Sequence, residues 1–236
     1  MDEIIDFHSH LLQEIDDGSK SLDESLAMLK SEFKGGIKQV VATPHFYPQR
    51  DNPEEFLKRR ENSAEKLLAA IEKEKNMPKL ILGAEVYYFR GISDSEVIKK
   101  LTIDNKKGIL IEMPKLMWTD AMYRELEGLY TKLGLIPIIA HVERYLGVFK
   151  NYVNLSKLLS LPVLVQANAE FFLNPLTSRK AIKMLKEEKI HLIGSDCHNL
   201  NERKPNLKKA VELIERKLGD KAISRIAFYQ KKVLED

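Results

Sequence analysis

Ile4-Ile5-Asp6-Phe7-His8-Ser9-His10 sets the pattern of the whole chain: a short apolar run that ends in side chains able to bind metal. The same construction recurs downstream. Residues 39–43 run into Pro44-His45, 80–84 into Glu85, 108–112 end on Glu112, and 137–140 run into His141. Residues 163–167 then lead to Asn168, and 191–195 to Asp196-Cys197-His198. With residues 4–7 these make seven runs. They are continuously apolar rather than alternating, as strands covered on both faces are.

Helical patterns fill the intervals, at residues 22–34, 54–75, 120–133, 153–159, 178–188 and 207–218. Ser19 or Ser21 is placed to cap the first, and Gly35-Gly36 to end it. Gly134 and Gly219 stand just past two others, where helices commonly stop. Strand–helix alternation from end to end predicts a parallel α/β fold. From His10, the polar residues at the run ends are spaced 35, 40, 27, 29, 27 and 28 residues apart, close to a regular strand–helix period. In a closed barrel every strand's C-terminal end faces one mouth. In an open doubly wound sheet only the strands near the switch point share a site. Seven contributing strands predict a closed barrel of seven strand–helix units, formed as a single domain over residues 1–236, with 101–107 its loosest stretch.

Composition narrows the function. The chain has 236 residues, 44% hydrophobic and 31% charged, which is ordinary for a globular protein. A net charge of +3 is too small to argue for nucleic acid. The Lys- and Arg-rich segment 203–232 reads as solvated helix faces, with a docking surface as the alternative. The single cysteine, Cys197, excludes an internal disulfide and fits a reducing compartment. The acidic start Met1-Asp2-Glu3 does not read as a signal peptide, and no apolar run approaches the roughly 18 residues of a membrane span. A cytoplasmic protein is expected.

Alone, His8-x-His10 is a weak signal that is often structural; in a strand, positions i and i+2 point the same way and both rings can grip one ion. Asp196-x-His198 has the same geometry. The weight comes from the set. Burying so many ionisable groups together without metal would be very costly, so a metal-dependent hydrolase with more than one divalent ion is expected. Mixed nitrogen and oxygen ligands suit manganese, iron or zinc, and two to three ions, manganese foremost, are expected.

Five stretches carry a family resemblance: Asp6-Phe7-His8-Ser9-His10, Asp16-Asp17-Gly18, Gly83-Ala84-Glu85-Val86-Tyr87-Tyr88, Ala140-His141-Val142-Glu143-Arg144-Tyr145, and Ser195-Asp196-Cys197-His198-Asn199-Leu200 followed by Arg203. In these the chain resembles the polymerase-and-histidinol-phosphatase (PHP) metal-dependent phosphoesterases. Within them it is most similar to the bacterial protein-tyrosine phosphatases of capsule and exopolysaccharide operons. The resemblance implies a distorted (β/α)7 barrel with a three-metal site. His8, His10, Glu85 and Asp196 would hold one ion, Glu85 would bridge to a second completed by Glu112 and His141, and Asp17, His45 and His198 would hold the third. The choice of Asp17 over Asp16 rests on the family pattern alone. The aromatic run Phe46-Tyr47-Pro48 departs from relatives that are basic there. The resemblance also implies the substrate: the tyrosine-rich tail of a bacterial tyrosine kinase controlling polysaccharide export, which would supply the only contact with a membrane.

Asp17, Glu85, Glu112 and Asp196 bring four negative charges, and the histidines bind neutral. Three divalent ions would leave the site at +2, suited to a phosphate dianion. Arg144 and Arg203 are placed to grip phosphoryl oxygens in bidentate fashion. A competing motif is Cys197-x5-Arg203, the spacing of cysteine-dependent tyrosine phosphatases. Its loop has no Gly, contains Glu202, and shares His198 with the metal motif, so Cys197 is expected to point away from the site. His191, at the opposite strand end, reads as structural. Two alternatives to a tyrosine phosphatase stand: a phosphatase of small esters such as histidinol phosphate, and a metal-binding regulatory protein without turnover.

Overall fold

The structure is a computed structural model describing residues 3–147 and 152–235, and side chains at all of these but 152 and 153. Residues 1 and 2 of the acidic start lie outside the described residues. In chain order the elements are β1 (Asp6–Ser9), α1 (Leu22–Lys34), β2 (Gln39–Ala42), β3 (His45–Phe46), α2 (Pro53–Ile71), β4 (Lys79–Leu82), β5 (Glu85–Tyr87), β6 (Gly108–Glu112) and α3 (Asp120–Leu133). Then come β7 (Ile136–Ile139), α4 (Tyr152–Leu159), β8 (Leu164–Asn168), α5 (Ala169–Leu173), α6 (Ser178–Lys186), β9 (Leu192–Gly194), α7 (Leu207–Leu218) and α8 (Asp220–Leu234).

Every strand pairing is parallel, in the orders β1-β2-β4 and β3-β5-β6-β7-β8-β9. β3 and β5 continue β2 and β4 past short breaks at Thr43-Pro44 and Gly83-Ala84. Across the breaks Gly83 N–H donates to Ala42 O at 2.9 Å and Glu85 N–H to Pro44 O at 3.0 Å. The curl then closes on itself. Asp196 N–H donates to His8 O at 2.7 Å, and His10 N–H to Cys197 O at 2.8 Å, beside a parallel Ser9–Cys197 bridge. Seven strand positions ring one interior, as the sequence predicts.

The interior has two layers. Phe7, Val41, Leu110, Ile138, Leu164 and Leu192 pack as a dry lower cluster. α8 closes it from below, with Val233 in that cluster. A Cβ added at Gly108 would lie 2.2 Å from Val233 Cγ1, which is why that strand must begin on glycine. Above lie the polar residues at the strand ends. Phe7 packs in the lower layer while its neighbour His8 faces the site, because the β1–β2 register slips between Asp6 and Ser9. Such an irregularity re-aims a side chain.

The expected helices at 22–34, 120–133 and 207–218 are observed with those bounds. Ser21 caps α1 by accepting from Glu24 N–H, and Gly134 ends α3 at φ 69°. β1 begins two residues later than the apolar run because Ile5 pairs with a side chain: its N–H donates to Gln230 Oε1 at 3.0 Å and its carbonyl accepts from Gln230 Nε2 at 2.7 Å. Between β5 and β6 the chain forms short 3₁₀ turns at Ile92–Asp94, Glu96–Leu101 and Ile103–Asn105 instead of a helix.

Candidate metal centre

The nine residues marked by the sequence as ligands, His8, His10, Asp17, His45, Glu85, Glu112, His141, Asp196 and His198, converge at the mouth of the barrel. Their ligand atoms form overlapping groups within 4.8 Å: His8, His10 and Glu85; His45, Glu85 and Glu112; and His10, Asp17, His45 and His198. His141 Nε2 joins them at 2.7 Å from Glu85 Oε1 and 3.6 Å from Glu112 Oε1. Asp196 Oδ1 lies 3.5 and 3.4 Å from the Nε2 atoms of His8 and His10. His10 and His45 thus each reach into more than one group. Asp17 sits on the outside, 64% exposed, 3.6 Å from His45 Nε2 and 3.4 Å from His198 Nε2.

Backbone geometry aims two of these groups. His141 and Asp196, just past β7 and β9, take left-handed conformations with φ of 34° and 54°. Non-glycine residues adopt these at a cost, and such residues cluster at functional sites.

Most of the rings are held from behind. His198 Nδ1 donates to the Asp196 carbonyl at 3.0 Å. His10 Nδ1 meets Asp16 Oδ2 at 2.7 Å, His8 Nδ1 meets Gln166 Oε1 at 3.3 Å, and His141 Nδ1 meets the Tyr145 hydroxyl at 3.3 Å. In the neutral ring, with the proton on Nδ1, each would turn an Nε2 lone pair toward the site, the tautomer that metal-binding histidines hold through such partners. The Nε2 atoms of His8 and His10 then face one another at 3.1 Å. Glu85 Oε2 lies 3.2, 3.3 and 3.0 Å from His8 Nε2, His10 Nε2 and His45 Nδ1, yet it has no hydrogen-bond partner among the described residues; nor have His45 Nδ1 and His198 Nε2. Unpaired lone pairs gathered around a buried carboxylate are the donor set of divalent cations. The residues fit more than one ion.

Electrostatics agree. Burial alone would raise the Glu85 carboxyl, but His8, His10, His141 and His45 hold it well below the usual carboxylate range. Asp196 is held well below it as well, with burial outweighed by His8 and His10. Burial lowers His141 to about 4 and His198 to about 3, so both stay neutral. For His10, burial is outweighed by Asp16, and the ring is raised well above its ordinary value.

Both arginines marked by the sequence reach the site. Arg144 Nη2 and Arg203 Nη2 each lie 2.7 Å from a different Asp196 oxygen, and Arg144 Nη1 lies 3.4 Å from Glu112. The sequence left Asp16 and Asp17 undivided; here Asp16 orients His10 and accepts the His45 N–H, while Asp17 turns Oδ1 toward His45 and His198 from the exposed side. Gln166, the Tyr145 hydroxyl and Asn168, whose Nδ2 donates to Asp196 at 2.7 Å, complete the support. Asn168 is one of the polar run ends that the sequence marks, and Gln166-x-Asn168, with the same-side spacing of His8-x-His10, is the sequence signal for Gln166. His191 is structural as expected, accepting the Val165 N–H and stacking on Tyr229.

Cys197 points away. Its thiol lies with Asp6 and Glu32 against α1, and burial reinforced by those acids pushes it well up. Cysteine nucleophiles need the reverse.

A tyrosine-protein phosphatase CpsB of Streptococcus pneumoniae is 30% identical over 236 residues, 92% of each chain. The tyrosine-protein phosphatase YwqE of Bacillus subtilis is 28% identical, over 92% of this chain and 85% of its own. A crystal structure from work on YwqE and CpsB, described as metal-dependent tyrosine phosphatases, superposes with a TM-score of 0.87 at 23% identity, over 98% of this chain and 94% of that one. A D-hydantoinase from Thermus, with a TM-score of 0.54 at 11% identity over 94% of this chain and 68% of that one, shares the fold alone. The family model for capsular polysaccharide synthesis, CpsB/CapC, matches residues 4–235, and the chain belongs to that family.

Proposed function

We propose that this chain is a metal-dependent protein-tyrosine phosphatase, a single catalytic domain that works in the cytoplasm on the tyrosine-rich tail of a kinase controlling polysaccharide export. The observation that carries the reading is the set of four back-anchored histidines whose Nε2 atoms converge with Glu85, Asp196 and Asp17, with two arginines beside them. The names of the relatives and the family's link to capsular polysaccharide synthesis support the substrate class. Among the described residues no helix is long and apolar enough to cross a membrane.

His8, His10, Glu85 and Asp196 would hold one divalent ion, Glu85, Glu112 and His141 a second, and Asp17, His45 and His198 a third, with manganese the expected metal. When bound, such ions supply Lewis-acid charge stabilisation and activate water near neutral pH. The chain does the rest. Arg144 and Arg203, now paired with Asp196, turn their planar donors to phosphoryl oxygens and steady the charge that spreads there. Asn168 keeps its bond to Asp196 and holds that carboxylate in place when the arginines engage substrate. The tyrosine leaves as a phenolate without a strong general acid, its pKa being about 10.

The test is hydrolysis of p-nitrophenyl phosphate and of a phosphotyrosyl peptide, with EDTA, with manganese restored, and by the His8→Ala/Asp196→Ala double variant. Loss with EDTA, rescue by manganese and an inactive variant are expected. Turnover that survives both EDTA and the double variant would overturn the metal mechanism, and hydrolysis of histidinol phosphate in preference to the peptide would overturn the substrate.

A further inference from the structure

Beside the arginines the mouth opens into a cavity of about 610 Å3. Its lining passes from Arg144, Asp196 and Arg203 to Phe171, Thr177 and Lys180. That volume falls within the roughly 300–1,000 Å3 of clefts that enclose whole small ligands, far more than a phosphoryl group needs. Four acidic and four basic residues line it, so net charge selects little and recognition falls to shape and apolar contact.

The surface around the mouth supplies that contact. Among the described residues, seven large apolar side chains are exposed; Leu116 and Met117 follow β6, Leu176 lies in the turn between α5 and α6, and Leu200 follows β9. Leu176 is 93% exposed and stands between Asn174 and Thr177, both of which line the cavity. Single exposed apolar residues are ordinary. Leu176 at the rim and Phe171 in the lining are placed to meet a molecule held in the cavity. A small ester enclosed by the metal centre would make no use of them.

We propose that this cavity and its Leu176 lip form a peptide subsite. It takes the residues flanking the phosphotyrosine in extended form, with an apolar side chain next to the phosphotyrosine packed against Leu176. The subsite rests on the phosphatase reading above. It makes the enzyme selective for phosphotyrosine displayed on a chain rather than for the phosphate ester alone.

The test compares kcat/KM on p-nitrophenyl phosphate and on a phosphotyrosyl heptapeptide with leucine beside the phosphotyrosine, with manganese present. Two variants alter the subsite and leave the metal centre untouched: Leu176→Asp charges the lip, and Gly147→Trp fills the cavity from a lining position where an added Cβ meets nothing within 4 Å. Each should lower kcat/KM on the peptide about ten-fold more than on p-nitrophenyl phosphate, the scale of one lost apolar contact in a pocket. Equal changes on both substrates, or no change on either, would overturn the subsite alone. If the unaltered protein turned over neither substrate, the phosphatase reading would fall and the subsite with it.

Discussion

His10 carries two jobs on one ring: Nδ1 is fixed by Asp16 at 2.7 Å while Nε2 faces the other ligands. Asp16→Ala should therefore weaken the site without removing a ligand. Loss of such a supporting partner costs about 10–100-fold in metal affinity, readable by competition with a chelating dye; unchanged affinity would mean that Asp16 does not set the ring. Cys197→Ser should leave activity intact, because the thiol faces Asp6 and Glu32 and not the substrate. Those two acids make a second residue-scale case. Asp6 Oδ1 accepts from Ser195 N–H at 2.8 Å, but Asp6 Oδ2 and Glu32 Oε1, both buried, have no hydrogen-bond partner among the described residues. Burial raises Asp6 to about 6 and Glu32 well above its ordinary value. Acids with raised folded-state pKa values take up protons on folding, so the stability they lend is lost as pH rises from about 4 through 6 and beyond. Glu32→Gln, neutral throughout, should flatten that fall. Melting temperatures of metal-free native and variant protein between pH 4 and 8 would diverge as pH rises; parallel curves would mean that the pair is not coupled.

At the scale of elements, β1 and β9 approach so closely that only glycine fits at 194, where an added Cβ would lie 2.5 Å from His8 Cβ and 2.8 Å from His8 N. Gly194→Ala should push β1 and tilt His8. The cost is about 1–3 kcal/mol, as for other overpacked sites, with a loss of metal affinity that a mere packing defect elsewhere would not produce. Thermal unfolding with and without manganese separates the two effects. The sequence made much of this layer legible. Apolar runs ending in His, Asp, Glu or, at residue 168, Asn located all seven strand positions, because strands buried on both faces cannot carry polar residues except at their ends. It did not reveal the slip in β1 that lets Phe7 and His8 both face inward, the left-handed turns at His141 and Asp196, or the breaks that split off β3 and β5. Those features depend on backbone angles and on which strand lies next to which. Nor did it reveal α8, whose role rests on Gln230 bonding both backbone groups of Ile5, a contact 225 residues distant.

At the scale of the molecule, the candidate ligands come from β1, β3, β5 and β6 and from the loops beyond β1, β7 and β9, so bound ions would tie most of the ring together. A ligand at 100 times its Kd stabilises a fold by about 2.7 kcal/mol, which for a chain of this size raises Tm by roughly 5–10 °C. The pH dependence follows from the histidines. His8 is raised, burial being outweighed by Glu85 and Asp196, and His10 is raised well above its ordinary value against Asp16. Raised histidines contribute stability to the metal-free protein that is fully present below pH 6.5 and lost as pH climbs through their folded values. Metal requires the same rings neutral, so its affinity grows over the same interval and binding releases protons. His141 and His198, already neutral, add nothing to the release. The gap in Tm between manganese-loaded and metal-free protein should therefore widen from pH 6 to pH 8. Titration calorimetry at pH 7 in two buffers of different ionisation heat should show net proton release. A gap that narrows as pH rises, or binding heats independent of buffer, would mean that His8 and His10 are not displaced from their carboxylates by metal, and that the ions sit elsewhere in the ring.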